Sequence, residues 1–171
     1  MNDKEGILLF QLRCKDIKNQ SMKSLDGSQH ITNVIMESYL MSYELDSKAK
    51  YYKEHDWVRV EKDGSCLIGI TDYAQKALKD IVFVELPEVG DTVTFGEVYG
   101  SVESVKAVSD IYSPISGEII EVNEEVEDSP EMLNEYPYGT WLLRIKPSNL
   151  DEELGKLMTP DEYDELCSSE G

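Results

Sequence analysis

Apolar and polar positions change rhythm near Lys48. Ahead of it the apolar residues keep no sustained period; beyond it short alternating runs follow one another, each closed by turn residues. Trp57-Val58-Arg59-Val60-Glu61 and Cys66-Leu67-Ile68-Gly69-Ile70 flank Lys62-Asp63-Gly64-Ser65, the pattern of a β-hairpin with an Asp-Gly turn. Thr71 or Asp72 then caps a short helix running through Lys79, with Ala74, Ala77 and Leu78 as its apolar contacts. Ile81-Val82-Phe83-Val84-Glu85-Leu86 reads as a strand ended by Pro87, and Thr92-Val93-Thr94-Phe95 as another between turns at Gly90 and Gly96.

Residues 96–103 and 107–112 form the two arms of a hairpin, which residues 113–117 are expected to close. Glu118-Ile119-Ile120-Glu121-Val122 makes a further strand. Gly90-Asp91-Thr92-Val93 and Gly117-Glu118-Ile119-Ile120 echo one another, each a turn glycine and an acid ahead of a β-branched strand. Asp128-Ser129-Pro130-Glu131 starts a brief helical turn, Tyr136-Pro137-Tyr138-Gly139 is a loop, and residues 140–145 are the last strand. Helical spacing of Leu150, Leu154 and Leu157, and the cap sequence Thr159-Pro160-Asp161-Glu162 before Tyr163 and Leu166, predict helices in the tail. The chain therefore divides into a poorly structured extension over 1–48 and one mainly β domain over 49–171, with short helices at its edges and C-terminus. Met22, Met36 and Met41 offer alternative start sites within the extension.

Composition narrows the partners. The 171 residues are 40% apolar and carry a formal net charge of −19. Nucleic acid and anionic membrane surfaces are poor matches for such a field, and partners with basic patches are favoured. Cys14, Cys66 and Cys167 form no Cys-x-x-Cys pair, and His30 and His55 share no ligand spacing, so neither a disulfide framework nor a metal centre is expected. No apolar run is long enough to span a bilayer. The first 48 residues hold six Lys/Arg against seven Asp/Glu, unlike an Arg-rich transit peptide, and Ile7-Leu8-Leu9-Phe10 is too short for a signal core. A cytoplasmic location is expected, with a mitochondrial one as the eukaryotic alternative. Nothing requires a stable oligomer, so a monomer is expected.

The candidate chemistry rests on one amine. Between Asp80 and Leu143 lie fifteen acidic residues and a single basic one, Lys106, on a short polar break between two valine-punctuated runs. A lone lysine at a strand turn is a good address for a modifying enzyme. The chain carries no Gly-rich phosphate loop, no Gly-x-Ser-x-Gly elbow and no His-Glu-x-x-His helix. A cofactor carrier needs none of these, because its attached group does the chemistry.

The surrounding string sharpens this reading. Glu103-Ser104-Val105-Lys106-Ala107-Val108-Ser109-Asp110-Ile111-Tyr112-Ser113-Pro114-Ile115-Ser116-Gly117-Glu118 closely resembles the lipoyl-lysine segment of the glycine cleavage system H proteins. Gly69-Ile70-Thr71-Asp72-Tyr73-Ala74-Gln75 and Val82-Phe83-Val84-Glu85-Leu86-Pro87-Glu88-Val89-Gly90 resemble that family's flanking segments, and Asp128-Ser129-Pro130-Glu131, Pro137-Tyr138 and Trp141 follow in family order. The resemblance covers about residues 50 to 168 and leaves the extension outside.

It implies a barrel-sandwich hybrid, two small antiparallel sheets with the modified lysine on a hairpin tip, and lipoate joined to Lys106 as an amide. The implied role is non-catalytic. Such a carrier takes the aminomethyl group of glycine from glycine decarboxylase to the aminomethyltransferase and returns to dihydrolipoamide dehydrogenase, after loading by a lipoate ligase or lipoyltransferase. In the family a Glu beside a His-x-Trp segment is associated with a cleft that shelters the cargo. His55-Asp56-Trp57 carries Asp there, one methylene shorter, and Asp110 is a second carboxylate candidate. Glu103 and Ser104 are candidates for recognition by the loading enzyme, or for shaping the turn. Gly100 either permits close approach between sheets or relieves strand strain. Trp57 and Trp141 read as core or cleft wall.

A biotin carrier would place Met on both sides of the lysine, where Val105 and Ala107 stand. Lipoyl domains of 2-oxoacid dehydrogenases show Asp-Lys-Ala and a tether to a large catalytic chain. A lipoate relay serving other pathways, and a plain interaction module, remain as alternatives.

Overall fold

The computed structural model describes residues 43–170. Residues 1–42 and 171, with Cys14, His30 and the alternative start sites, lie outside the described residues. Nine strands and five short helices follow the order β1 Lys50–Tyr51, β2 Asp56–Val60, β3 Cys66–Ile70, α1 Asp72–Leu78, β4 Ile81–Glu85, β5 Thr92–Val93, β6 Val98–Ser104, β7 Val108–Tyr112, β8 Gly117–Val122, α2 Glu125–Asp128, α3 Met132–Glu135, β9 Leu143–Pro147, α4 Leu150–Leu154 and α5 Pro160–Glu170 among the described residues. Every pairing is antiparallel. One sheet has six strands in the order β1-β2-β3-β9-β8-β5, the other three in the order β4-β6-β7. This is the two-sheet, open architecture expected of a barrel-sandwich hybrid, not a closed barrel.

Local chemistry sets the first elements. In the β2–β3 turn Gly64 has φ 84, and the Asp63 carboxylate accepts from the Ser65 amide at 2.9 Å, an Asx turn that fixes Val60 opposite Cys66. Thr71 Oγ1 accepts from the Ala74 amide at 3.2 Å and starts α1. At α5 the capping box is complete: Glu162 accepts from the Thr159 amide, and Thr159 Oγ1 from the Glu162 amide.

The inward sides of the two sheets enclose the main core, where Ile68, Ile70, Ile119 and Ile145 of the large sheet share a cluster with Val84, Val102 and Ile111 of the small one. A second cluster covers the outer side of the large sheet. Tyr163 of α5 stacks on Tyr51 with ring centroids 4.5 Å apart, and both join Trp57, Leu67 and Cys167. β3 is thus buried on both faces. Gly69 is required there, since a Cβ at that position would lie 2.8 Å from the Trp57 ring. Cys66 and Cys167 are free and buried.

Several expectations change. Residues 113–117 do not close the lysine hairpin; they carry the chain from β7 in the small sheet to β8 in the large one. The β6–β7 hairpin is closed at its other end by residues 105–107. The two echoing segments pair with each other, Thr92 opposite Glu118 and Val93 opposite Gly117. β9 begins at Leu143 rather than Thr140, because Thr140 bonds the Met132 carbonyl and belongs to the loop. Gly100 allows close approach within the small sheet rather than between sheets: a Cβ there would meet the Glu85 carbonyl of β4 at 2.2 Å. Residues 43–48, ahead of the change in rhythm, are packed. Tyr43 donates to the Asp164 carboxylate at 2.7 Å, and the Glu44 amide donates to Asp72 at 2.6 Å.

Candidate functional site

The site begins with the β6–β7 hairpin. Its ladder runs Glu103 opposite Val108, Val102 opposite Ser109 and Ser101 opposite Asp110, leaving Val105-Lys106-Ala107 as the apex. Lys106 is exposed, and its side chain makes no ion pair or hydrogen bond with another described residue.

Ser104 staples the apex from within. Its amide donates to the Ala107 carbonyl at 2.8 Å, while its Oγ accepts from the Ala107 amide at 3.2 Å and the Lys106 amide at 3.4 Å. The Val105 amide donates to the Asp80 carbonyl at 3.2 Å, tying the tip to the chain just before β4. Ser104 is nearly buried, so its atoms serve the turn, whereas the partly exposed Glu103 shares the outward face of the small sheet. Ser104→Ala should destabilise the fold by about 1 kcal/mol, the net worth of a lost polar network at one hydroxyl. Faster hydrogen exchange at the Ala107 amide, alongside a lower thermal midpoint, would register it; unchanged exchange would show that the turn holds itself.

The His55-Asp56-Trp57 segment alternates as a strand must. Trp57 faces the aromatic cluster under α5, and its indole N–H donates to the Ile70 carbonyl at 2.9 Å. His55, at φ 73, bonds the Tyr163 hydroxyl through Nδ1 at 2.8 Å and meets Glu170 through Nε2 at 3.1 Å. Burial lowers the His55 pKa, an effect Glu170 opposes.

Asp56 points the other way, toward the small sheet, and is 1% exposed. Its Oδ2 accepts from the Tyr112 amide of β7 at 3.3 Å, which is not ideal in length; its Oδ1 has no partner. Burial holds the carboxyl well above the usual carboxylate range, against the opposing Tyr112 hydrogen bond and with a smaller push from Glu54. Tyr99 supplies the second buried oxygen without a partner, and desolvation with the nearby Asp56 charge raises its pKa.

Two of the sequence candidates are brought to the same strand by this geometry. Asp56 caps Tyr112, two residues beyond Asp110 on β7; Asp110 itself is exposed, opposite Ser101. Tyr99 and the Tyr112 amide were not anticipated, since neither spacing nor residue type marks them; the hydrogen bond of the Tyr112 amide to Asp56, and the Asp56 charge that acts on Tyr99, link distant parts of the chain. Trp141 is half-buried beside Arg144, with the guanidinium carbon 5.9 Å from the ring centroid. Among the described residues no group of His, Cys, Asp and Glu could hold a metal ion, and no helix is long and apolar enough to cross a membrane.

A two-sheet domain that offers one unpaired lysine on a stapled hairpin, with a buried carboxylate at the neighbouring strand, has the form of a swinging-arm carrier. Comparison with known proteins gives the particular family. The family described as "Glycine cleavage H-protein" matches residues 49–170. A "Probable glycine cleavage system H protein" of Pyrococcus abyssi is 58% identical over 127 residues, 74% of this chain and 95% of that protein. The "Glycine cleavage system H protein" of Saccharophagus degradans is 55% identical over 128 residues, 74% of this chain and 98% of that one. The crystal structure of a glycine cleavage system H protein from Mycobacterium marinum superposes with a TM-score of 0.65 at 41% identity, covering 71% of this chain and 97% of that one. The chain belongs to the glycine cleavage H-protein family, whose members are lipoyl carrier subunits rather than enzymes.

Proposed function

We propose that Lys106 carries lipoate through an amide at Nζ, and that this chain serves glycine decarboxylase, the aminomethyltransferase and dihydrolipoamide dehydrogenase in turn. The observation that carries the reading is the exposed amine of Lys106, free of ion pairs among the described residues, at the apex of a hairpin whose turn is fixed by Ser104. The unpartnered Oδ1 of Asp56 suits the same role, because a buried acceptor without a donor can receive one from an incoming group. When bound, lipoate supplies a dithiolane that accepts and releases the aminomethyl group.

The chain's own contribution is position, shelter and charge. The two strands hold Lys106 away from the core, so the loading enzyme reaches its amine, and a group carried on Nζ reaches partner sites, without unfolding anything. Asp56 can receive a protonated amine at Oδ1; a cation there would stabilise the carboxylate form and lower its raised pKa. Exclusion of water at a buried carboxylate slows hydrolysis of what is held against it.

Peptide mapping of the chain after treatment with a lipoate ligase and lipoate tests the attachment. A lipoyl mass on the peptide containing Lys106 is expected, and its absence there overturns the reading. Asp56→Ala should speed release of ammonia and formaldehyde from the loaded protein several-fold, measured after removal of the partner enzymes. Unchanged release would take Asp56 out of the sheltering role.

A further inference from the structure

The outward face of the small sheet carries two rows of side chains set by the ladder. Val84, Val102 and Ile111 point into the core, so their strand neighbours point out. The row beside the apex is Phe83–Glu103–Val108; the row behind it is Glu85–Ser101–Asp110. Directly opposed residues share a face.

Phe83 is 48% exposed and Val108 63%, with Val105 at the tip 72% exposed. The two flank Glu103 at about two strand spacings, roughly 10 Å. An aromatic ring and a valine left about half exposed or more on one sheet face gain only part of the burial that a covering partner would give them; grouped beside a functional lysine, they mark a contact surface. Aromatic residues are enriched in the cores of such contacts. The charge around them has one sign: Glu85, Glu103 and Asp110 share the face, and Lys106 is the only basic residue between Asp80 and Leu143.

We propose that this face is the docking surface for the enzyme that attaches lipoate to Lys106, and that the enzyme presents an apolar contact rimmed by basic residues. The proposal rests on the reading of Lys106 as the attachment site. Reach selects this partner over the others. An enzyme that acylates Nζ must bring its reacting atoms to within one lysine side chain of the apex, so its surface meets the row that supports the apex. Enzymes that act at the far end of a long acyl arm are held off by the length of that arm. In the attachment step the Lys106 amine attacks the carbonyl of a lipoyl–nucleoside monophosphate mixed anhydride; the C–N amide bond forms, the acyl C–O bond breaks, the nucleoside monophosphate leaves and the amine gives up a proton. The anhydride forms on the ligase from the lipoate carboxylate and a nucleoside triphosphate, with pyrophosphate expelled.

The test uses the full chain, a lipoate ligase, lipoate and ATP, with product read by intact mass. In F83T/V108T both substitutions keep β propensity at exposed positions, so the thermal midpoint should hold and confirm the fold. The KM for the carrier chain should rise tenfold or more with kcat within twofold. The same variant, once loaded at high enzyme concentration, should transfer the aminomethyl group at a rate within twofold of wild type. V60T and I120T, exposed apolar positions on the other sheet, should leave attachment unchanged. Raising salt should raise the wild-type KM, and E85Q/D110N should flatten that dependence.

An attachment KM within twofold of wild type in F83T/V108T overturns the proposal. So does normal attachment combined with slowed transfer, which would give the face to the other enzymes, or combined with lost self-association, which would give it to a second copy. Failure of the wild-type chain to take lipoate at Lys106 is a separate result, and overturns the attachment reading and this surface together.

Discussion

Lys106→Arg should yield a chain with the wild-type thermal midpoint, within about 1 °C, that takes up no lipoate and supports no glycine cleavage. The two halves of that outcome have different causes. The Lys106 side chain is exposed and touches no partner among the described residues, and surface substitutions of that kind change stability by about 0.5 kcal/mol at most. Arginine also keeps the positive charge that the unloaded apex carries, so the field that the loading enzyme meets is unchanged. What it removes is the nucleophilic primary amine, because a guanidinium stays protonated and is a poor nucleophile. Intact mass, differential scanning fluorimetry and a transfer assay with purified partner enzymes would separate the effects. A full lipoyl mass on the Arg variant would move the attachment to another lysine and remove Lys106 from the account.

How far this was legible from sequence depends on the range of each interaction. The Asp63-Gly64 turn, the Thr71 cap and the Thr159–Glu162 capping box are contacts over two or three residues, and their side-chain chemistry is written in order along the chain. The lysine hairpin was legible for the same reason, since Ser104 and Ala107 bond across three residues. Which end of that hairpin closes, and which sheet the chain then enters, depends on whether β8 pairs with β7 or with β9. Turn residues at Ser113 and Gly117 are compatible with either, and the burial of Ile115 between the sheets decides it. Trp141-Leu142-Leu143 has strand composition throughout. Loop contacts of Thr140 with the Met132 and Tyr136 carbonyls, and of the Asn123 side chain with the Trp141 carbonyl, delay β9 to Leu143.

Asp56 shows the same limit at the candidate site. Its neighbours His55 and Trp57 singled it out in sequence, yet the strand it contacts lies 56 residues on, at Tyr112. No local pattern predicts that one carboxylate oxygen would be satisfied there and the other left over, or that the Tyr99 hydroxyl would share its condition. Asp56 is distant from Lys106 along the chain and meets its hairpin at Tyr112, whereas Tyr99 stands on that hairpin itself, in β6. The sequence therefore points to the anchor of the arm more directly than to the carboxylate proposed to shelter its cargo.

Asp56→Asn should make the protein more stable and a worse carrier. Burial raises the Asp56 pKa in the folded state, with the Tyr112 amide opposing and Glu54 adding to the rise. An unfolded aspartate titrates near pH ~4. As pH climbs from there toward the raised folded value, the unfolded chain has released this proton while the native protein still holds it. The native state then binds more protons, so this group's contribution to stability falls with rising pH. It is fully present below about pH 4 and is lost once pH passes the raised folded value. Asparagine does not titrate, yet its side-chain oxygen can still accept from Tyr112. The variant should match wild type at low pH and exceed it at neutral pH by on the order of 1 kcal/mol, because asparagine has no charge to desolvate, or roughly 2–5 °C in thermal midpoint. The same exchange removes the charge proposed to meet a protonated amine, so release of ammonia and formaldehyde from the loaded variant should quicken. A stabilised variant with faster release is what a functional site maintained at the expense of stability predicts. Thermal midpoints measured from about pH 4 to 8 decide the first half: a difference from wild type that does not grow with pH would mean Asp56 is ionised in the free protein, and that its carboxylate needs no incoming cation to become charged.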